Sequence, residues 1–389
     1  MAAELPREET AMFSPFCPVD VRVLPAAEAM LAVRAMLPKP RRLLVLASRG
    51  RSAALGLAPF LTALQGDGHA VQLYGDIPAN PTVHDVAALL VRLREQPFEP
   101  TAILTVGGGS CIDLGKACAA LYHLLPKPDA QAVRECITSK RYRTLHIVVE
   151  LIAMPTTAGT GSEVTPWATV WDPDNRTKLS IDHAAGFPKA AVLVPEWTLG
   201  MGPDLTLSTG LDALSHAMEA FWAVARTPLS QELALLAAGK IAGALPVAVR
   251  KPNDLAARRD MCMASLAAGL AFSQTRTTAC HSISYPLTLR YGIPHGYAAA
   301  LTLGAVMARN AKAVHEMERL TAVFDEAEGF DPWLYETSRG IRELRLSAFG
   351  VSEAALADIC ALSFTAGRME NNPIAFTPDD VMAILRESL

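Results

Sequence analysis

"TAILTVGGGSCIDLGKACAALYHLL", residues 101–125, decides how the first half of this chain folds. A short apolar run leads into three glycines, and a helical repeat leads out of them. The pattern sits inside an alternation. "RRLLVLAS" (41–48) reads as a buried strand, 55–68 as a helix with a glycine stop, "AVQLYGD" (70–76) as a second strand and 83–96 as a second helix. The helix after the glycines is expected over 112–125. A further apolar stretch falls within 144–163, and "TKLSI" (177–181) and "KAAVLVP" (189–195) read as strands. Strands separated by helix-length crossovers specify a parallel sheet covered on both faces. After Pro195 the character changes. Residues 204–389 are rich in Ala and Leu, with helical periodicity and few strand-like runs. The predicted fold is a Rossmann-like α/β domain with a parallel sheet (1–198) followed by an all-α domain (199–389).

The bulk composition agrees with two large cores. Of 389 residues, 51% are hydrophobic and 19% charged, which excludes extended disorder. A net charge of -4 without any Lys/Arg cluster points away from nucleic acid. "MAAELPREET" has no apolar h-region, so no signal peptide is expected. No apolar run is expected to reach membrane-spanning length; residues 206–225 come closest but carry Asp212, His216 and Glu219. Seven cysteines are scattered without CxxC spacing, as for reduced thiols in a cytoplasmic protein.

Three stretches carry chemistry. In "GGGSCIDLGK" (107–116), Gly107, Gly108 and Gly109 let backbone N–H groups approach an anion at a helix N-terminus. The stretch matches neither GxGxxG nor a Walker A loop, and the alternative is a plain tight turn. "TTAGTGSE" (156–163) concentrates hydroxyls and glycines, as a ligand loop or as a solvated one. In "GLDALSHAMEAFW" (210–222), Asp212 and His216 lie four apart on one face of an apolar helix. They form either a satisfied core pair or half of a ligand set with His281 and His295 from "ACHSISYPLTLRYGIPHG" (279–296). Three imidazoles and a carboxylate suit Fe(II) or Zn(II) with a position left for a substrate oxygen.

These stretches, in this order, closely resemble the iron-containing alcohol dehydrogenase family, from about Leu43 to Pro373. The resemblance implies a dinucleotide-binding domain, a helical domain and an active site in the cleft. It assigns the metal to Asp212, His216, His281 and His295. It assigns the cofactor to Asn80, Gly107, Gly108, Gly109, Ser110, Asp113, Thr156, Thr157, Thr160, Ser162 and Lys178. The implied activity is reduction of a small aldehyde to a primary alcohol with Fe(II), Zn(II) being able to occupy the same ligands, in a cytoplasmic homodimer. Small neutral alcohols and aldehydes are the alternative substrates.

Three departures from the family pattern refine this. Many members end the first of these strands with Asp; here Ser48, Arg49 and Arg51 follow, which favours NADPH over NADH. Many members carry a histidine one turn after the third ligand; here it is Tyr285. A phenol's ordinary pKa of about 10 makes a poor base at neutral pH, so Tyr285 is expected to act as an acid or as a hydrogen bonder. Arg290, and Arg368 in "GRMENNP" (367–373), are expected to hold an anionic substrate end, with Asn371 and Asn372 beside Arg368. The alternative places both arginines on the surface or between domains. Together these segments look most like phosphonoacetaldehyde reductases of phosphonate (antibiotic) biosynthesis, so phosphonoacetaldehyde is the expected substrate.

Overall fold

A computed structural model describes residues 16–144 and 149–389. The expectation about a signal peptide concerns residues 1–10 and lies outside them, as do residues 145–148 of the apolar stretch beginning at 144.

Eight strands are present among the described residues: β1 (Asp20–Val23), β2 (Arg42–Leu46), β3 (Ala70–Tyr74), β4 (Ala102–Gly107), β5 (Glu150–Pro155), β6 (Trp167–Asp172), β7 (Thr177–Asp182) and β8 (Ala190–Leu193). Six form one parallel sheet in the order β1-β8-β5-β4-β2-β3. All six residues of β4 are buried, because a central parallel strand is covered on both faces. From β2 the chain steps outward to β3 and then back across β2 to β4. That reversal opens a crevice at the carboxyl ends of β2 and β4, the usual ligand position in such sheets. β6 and β7 form a separate antiparallel hairpin. The sequence reading had β7 but not β6.

The helices around the sheet are α1 (Ala26–Met36), α2 (Arg49–Ala54), α3 (Ala58–Gly66), α4 (Val83–Glu95), α5 (Gly109–Leu121) and α6 (Ala130–Thr138). The single helix expected over 55–68 is corrected. Its start is delayed to Ala58, because Gly56 turns the chain with φ +60 and Pro59 opens α3. α5 starts three residues earlier than expected, with Gly108 as its N-cap, so the glycines belong to the helix start itself.

After β8 the chain is helical: α7 (Pro203–Trp222), α8 (Pro228–Arg250), α9 (Leu255–Thr275), α10 (Ala279–Tyr291) and α11 (His295–Ala300), with shorter helices beyond. Sixteen residues of α7 are buried, among them Asp212, His216 and Glu219. α8 and α9 pack against α7 in one apolar core with Phe221, Trp222, Ile241 and Leu245. The membrane expectation needs correction here: α8 has 23 residues and contains an 18-residue window of mean hydropathy 1.6, long and apolar enough to cross a membrane by length and composition. In this fold its Ala234, Ala237, Ile241 and Leu245 face the helical core. α10 runs through Pro286 and ends at Gly292, which takes φ +63 in the left-handed region where helices commonly stop. All seven cysteines are free thiols, six of them buried.

Candidate active site

A cavity of about 530 Å³ lies between the carboxyl ends of the sheet and helices α7, α10 and α11. Its sheet side is made by two interlocked loops. A Cβ on Gly109 would stand 2.5 Å from the Thr160 methyl, and one on Gly108 would stand 3.0 Å from Thr157 Oγ1. Thr156 N closes the second loop onto Gly107 O at 3.0 Å. The glycines therefore let the Thr/Gly loop pack on the start of α5, in addition to leaving its N–H groups open. Ser110 Oγ accepts from Asn80 N at 3.1 Å, with Asn80 held at φ 53. Asp113 accepts from Ser162 Oγ at 2.6 Å and Thr169 N at 3.0 Å, tying the loop and the β6–β7 hairpin to α5. Lys116 is buried and donates to the carbonyls of Ser162, Thr165 and Trp167, so its cation serves the loop from behind. Gly108, Gly109, Ser110, Asp113, Thr157, Thr160, Ser162 and Lys178 all line the cavity. Gly107 and Thr156 support it from the strand ends.

The helical side brings the four predicted ligands together. Asp212 Oδ1 is 3.9 Å from His216 Nε2, 3.7 Å from His281 Nε2 and 4.0 Å from His295 Nε2. These spacings are too long for hydrogen bonds. They are close to the ~3.4 Å edge of a tetrahedron of donors bonded at ~2.1 Å to one ion. Asp212 Oδ1 and His281 Nε2 are both buried and unpartnered among the described residues. Two such atoms facing each other are costly unless a cation joins them. The donor set fits a divalent ion, with Asp212, His216 and His281 forming a compact group.

Each ligand is fixed from behind. His216 stacks on Phe272 with ring centroids 4.0 Å apart, and its Nδ1 faces Gly159 O at 3.4 Å, which turns Nε2 inward. His281 Nδ1 bonds Glu219 Oε2. Glu219 Oε1 accepts from Thr278 Oγ1 at 2.8 Å, Thr278 N at 3.0 Å and His281 N at 3.2 Å. Such a carboxylate behind a ligating imidazole sets its tautomer and raises its basicity. His295 opens α11, which lies backbone-on-backbone against α7: a Cβ on Gly296 would stand 1.9 Å from Ser208 O. Sequence reasoning missed the role of Glu219, although it lies seven residues after Asp212 on the same helical face.

The titration states suit ligation. Burial holds the His216 imidazole down at about 4 and that of His295 at about 3, so both are neutral at pH 7. Burial would raise Asp212, but His216, His281 and His295 outweigh it and keep the carboxyl well below its usual range. His281 is pulled the other way. Burial lowers it, and Glu219 and Asp212 more than compensate, reaching about 10. Without a cation, His281 Nε2 carries a proton that an ion would replace.

Two family models now match this chain. One, described as iron-containing alcohol dehydrogenase, covers residues 22–195; the other, the C-terminal part of the Fe-containing alcohol dehydrogenase family, covers residues 206–389. The chain belongs to the iron-containing alcohol dehydrogenase family. Alcohol dehydrogenase 4 of Saccharomyces cerevisiae is 31% identical over 356 residues, 86% of this chain and 88% of that one. A phosphonoacetaldehyde reductase of Streptomyces viridochromogenes is 41% identical over 244 residues, 60% of this chain and 61% of the relative. Four relatives of 34–41% identity, this one among them, are matched over 61–64% of their own length. Among solved structures, the sulfoacetaldehyde reductase of Bifidobacterium kashiwanohense in complex with NAD+ superposes with a TM-score of 0.82 at 29% identity, over 96% of this chain and 97% of that one.

Within this member of the family, the residues expected to meet substrate divide. Tyr285 and Arg368 line the cavity. Lys178, expected on the cofactor, donates to Tyr285 Oη at 3.2 Å. The expectation that Tyr285 keeps an ordinary phenol pKa is corrected: burial would raise it, but Lys178, Arg368 and His281 together hold it at about 7. Arg290 is also corrected. It sits near the carboxyl end of α10 and pairs at 3.5 Å with the exposed Asp358, outside the cavity, because the helix turns it away from the ligand face. Asn371 and Asn372 stand outside the cavity wall: Asn372 pairs with Asn310 at 2.9 Å in the core. Ser48 caps α2 by accepting from Arg51 N, and Arg49 pairs with Asp76 at 3.4 Å. Ser48, Arg49 and Arg51 stand at the carboxyl end of β2, beside the glycine turn, rather than in the cavity wall.

Proposed function

We propose that the protein is a metal-dependent, NADPH-linked reductase of small aldehydes with an anionic tail, converting phosphonoacetaldehyde to 2-hydroxyethylphosphonate. One observation carries this reading. Among the described residues, the cavity that presents the unpartnered Asp212–His281 pair is lined by two Lys or Arg side chains, Lys178 and Arg368, and both act on Tyr285. Polarity for a carbonyl oxygen and cations for an anionic tail thus meet in one space. The phosphonoacetaldehyde and sulfoacetaldehyde reductases among its relatives act, by name, on aldehydes of this kind.

When bound, an iron ion supplies Lewis acidity and a reduced nicotinamide supplies hydride. Asp212, His216, His281 and His295 would hold the first. Gly107–Ser110, Asn80, Asp113, Thr156, Thr157, Thr160 and Ser162 would hold the second, with Ser48 and Arg51 selecting the 2′-phosphate and Arg49 partly neutralised by Asp76. Tyr285 Oη holds the proton that the product oxygen needs, and Lys178 orients that hydroxyl. Arg368 draws the substrate's anionic end toward Trp167, over which its guanidinium stands at 6.0 Å. Phe272 and Trp167, with ring centroids 5.5 Å apart, restrict water at His216. We also propose a boundary between the two domains at residues 198/199, a homodimer, and action in the cytoplasm.

The test is NADPH oxidation by protein loaded anaerobically with Fe(II), given phosphonoacetaldehyde, sulfoacetaldehyde or propionaldehyde. A preference for both anions supports the reading. Equal rates, or a preference for propionaldehyde, would instead favour a dehydrogenase of small neutral alcohols.

A further inference from the structure

Asn371 lies outside the ligand set, yet it touches both backbone segments that carry it. Its Nδ2 donates to Thr275 O at 2.7 Å and to Thr277 O at 3.1 Å. Its Oδ1 accepts from Ala225 N at 3.2 Å, and its own carbonyl accepts from Val224 N at 2.9 Å. Val224 and Ala225 follow Ala223, the C-cap of α7, the helix of Asp212, His216 and Glu219. Thr275 and Thr277 flank Arg276 in the turn that launches α10 and His281.

That turn is unusual. Arg276 has φ 64 and ψ 178, a region occupied almost only by glycine. The turn places Thr278 so that its N–H and hydroxyl both reach Glu219, and Trp222 Nε1 at the end of α7 donates to Thr278 Oγ1 at 2.9 Å. Glu219 in turn fixes His281. The Arg276 side chain reaches Asp182 at 2.7 Å, a partly exposed pair of small energetic weight. Backbone strain of this kind persists only where the surroundings over-determine it. Here the two carbonyls on either side of the strained residue are held by one amide.

We propose that Asn371 is a positioning residue for the metal site. It clamps the strained Thr275–Thr277 turn to the end of α7 and so presets the spacing of His281 from Asp212 and His216. The proposal rests on reading that cluster as a metal site.

The experiment uses metal-free full-length protein, Zn(II) titrated against a chromogenic chelator, and the visible spectrum of the Co(II)-substituted form. Two variants are compared with wild type: Asn371→Ala, and Asn371→Asp, which keeps the size and the acceptor for Ala225 N but loses both donors. Circular dichroism and nucleotide binding report on the rest of the fold. Zn(II) affinity is expected to fall about ten-fold or more in both variants, with an altered Co(II) spectrum. Adding Arg276→Gly to Asn371→Ala is expected to recover much of the affinity, since glycine takes this turn without a clamp. Wild-type affinity and spectrum in both variants would overturn the proposal. So would a loss that Arg276→Gly leaves unchanged, which would place it in general destabilisation. Wild-type protein that takes up no Zn(II) would overturn the metal reading itself, a distinguishable failure.

Discussion

Lys178 Nζ donates to Tyr285 Oη at 3.2 Å and stands 4.5 Å from the centre of the same ring. The cation both bonds the phenol oxygen and faces its π-electrons, so it favours the ionised form over the neutral one. Burial opposes this, and Lys178 with Arg368 and His281 prevails, giving a phenol near 7. A group with that value is protonated below pH 7 and can donate to a product oxygen; above it, the phenolate accepts from an alcohol. Aldehyde reduction should therefore fall as pH rises through about 7, and alcohol oxidation should rise. Lys178→Met should move the ultraviolet tyrosinate transition upward toward the ordinary ~10, and Tyr285→Phe should remove it. A wild-type protein with no tyrosinate transition near neutrality would show that Lys178 does not lower the phenol, and the pH dependence of the two directions would then have another source.

Arg368 and Arg290 make opposite predictions. Arg368 lines the cavity, whereas Arg290 meets an exposed aspartate outside it. Losing a charge-assisted hydrogen bond to a substrate anion costs ~1.5–3 kcal/mol, or about ten- to a hundred-fold in KM. Arg368→Ala should raise KM by that amount for phosphonoacetaldehyde and leave propionaldehyde nearly unchanged. Arg290→Ala should leave both unchanged. Steady-state kinetics with the two aldehydes decide the point.

The division between Arg368 and Arg290 also shows how far local pattern reaches. The parallel sheet was legible because β2, β4 and β8 are buried runs separated by helix-length crossovers, and that pattern depends on no distant contact. Asp212 and His216 were legible as a pair because helical spacing alone puts them on one face. Their convergence with His281 and His295 was suggested only by resemblance, since it depends on how α7, α10 and α11 cross. Glu219 carried the same spacing signal, but its partners Thr278 and His281 are some sixty residues away. β6 went unread because Pro166 and Trp167 follow directly on the Thr/Gly loop, and its strand character is expressed only by pairing with β7. Arg290 was misplaced because proximity in sequence to His295 says nothing about which side of α10 it leaves from.

Glu219 should matter to the metal without touching it. Its carboxylate accepts four hydrogen bonds in a fully buried position, one of them from His281 Nδ1. Glu219→Gln keeps the size but removes the charge that raises the imidazole's basicity. Metal affinity should fall about ten- to a hundred-fold, as for other carboxylates behind ligating histidines. Chelator competition with Zn(II) measures this directly. An unchanged affinity would show that His281 is held by the helix alone.

Two glycine substitutions should act in opposite directions. A Cβ on Gly296 would meet Ser208 O at 1.9 Å and Asp212 Cβ at 3.1 Å. No side-chain rotation relieves a clash with a helix backbone, so α11 must lift from α7 and carry His295 with it. Overpacking of this sort costs ~1–3 kcal/mol, and the displaced imidazole adds the loss of one ligand. Gly243 in α8 has open space around its Cβ position, and alanine there gains ~0.5–1 kcal/mol of helix propensity. Gly296→Ala should therefore lower the melting temperature and release the metal, whereas Gly243→Ala should raise the melting temperature and keep it. Thermal melts of the metal-loaded and metal-free forms separate the two contributions. If Gly296→Ala lowers both melts equally and still binds Zn(II) like wild type, the close contact serves packing alone and His295 finds the ion by another path.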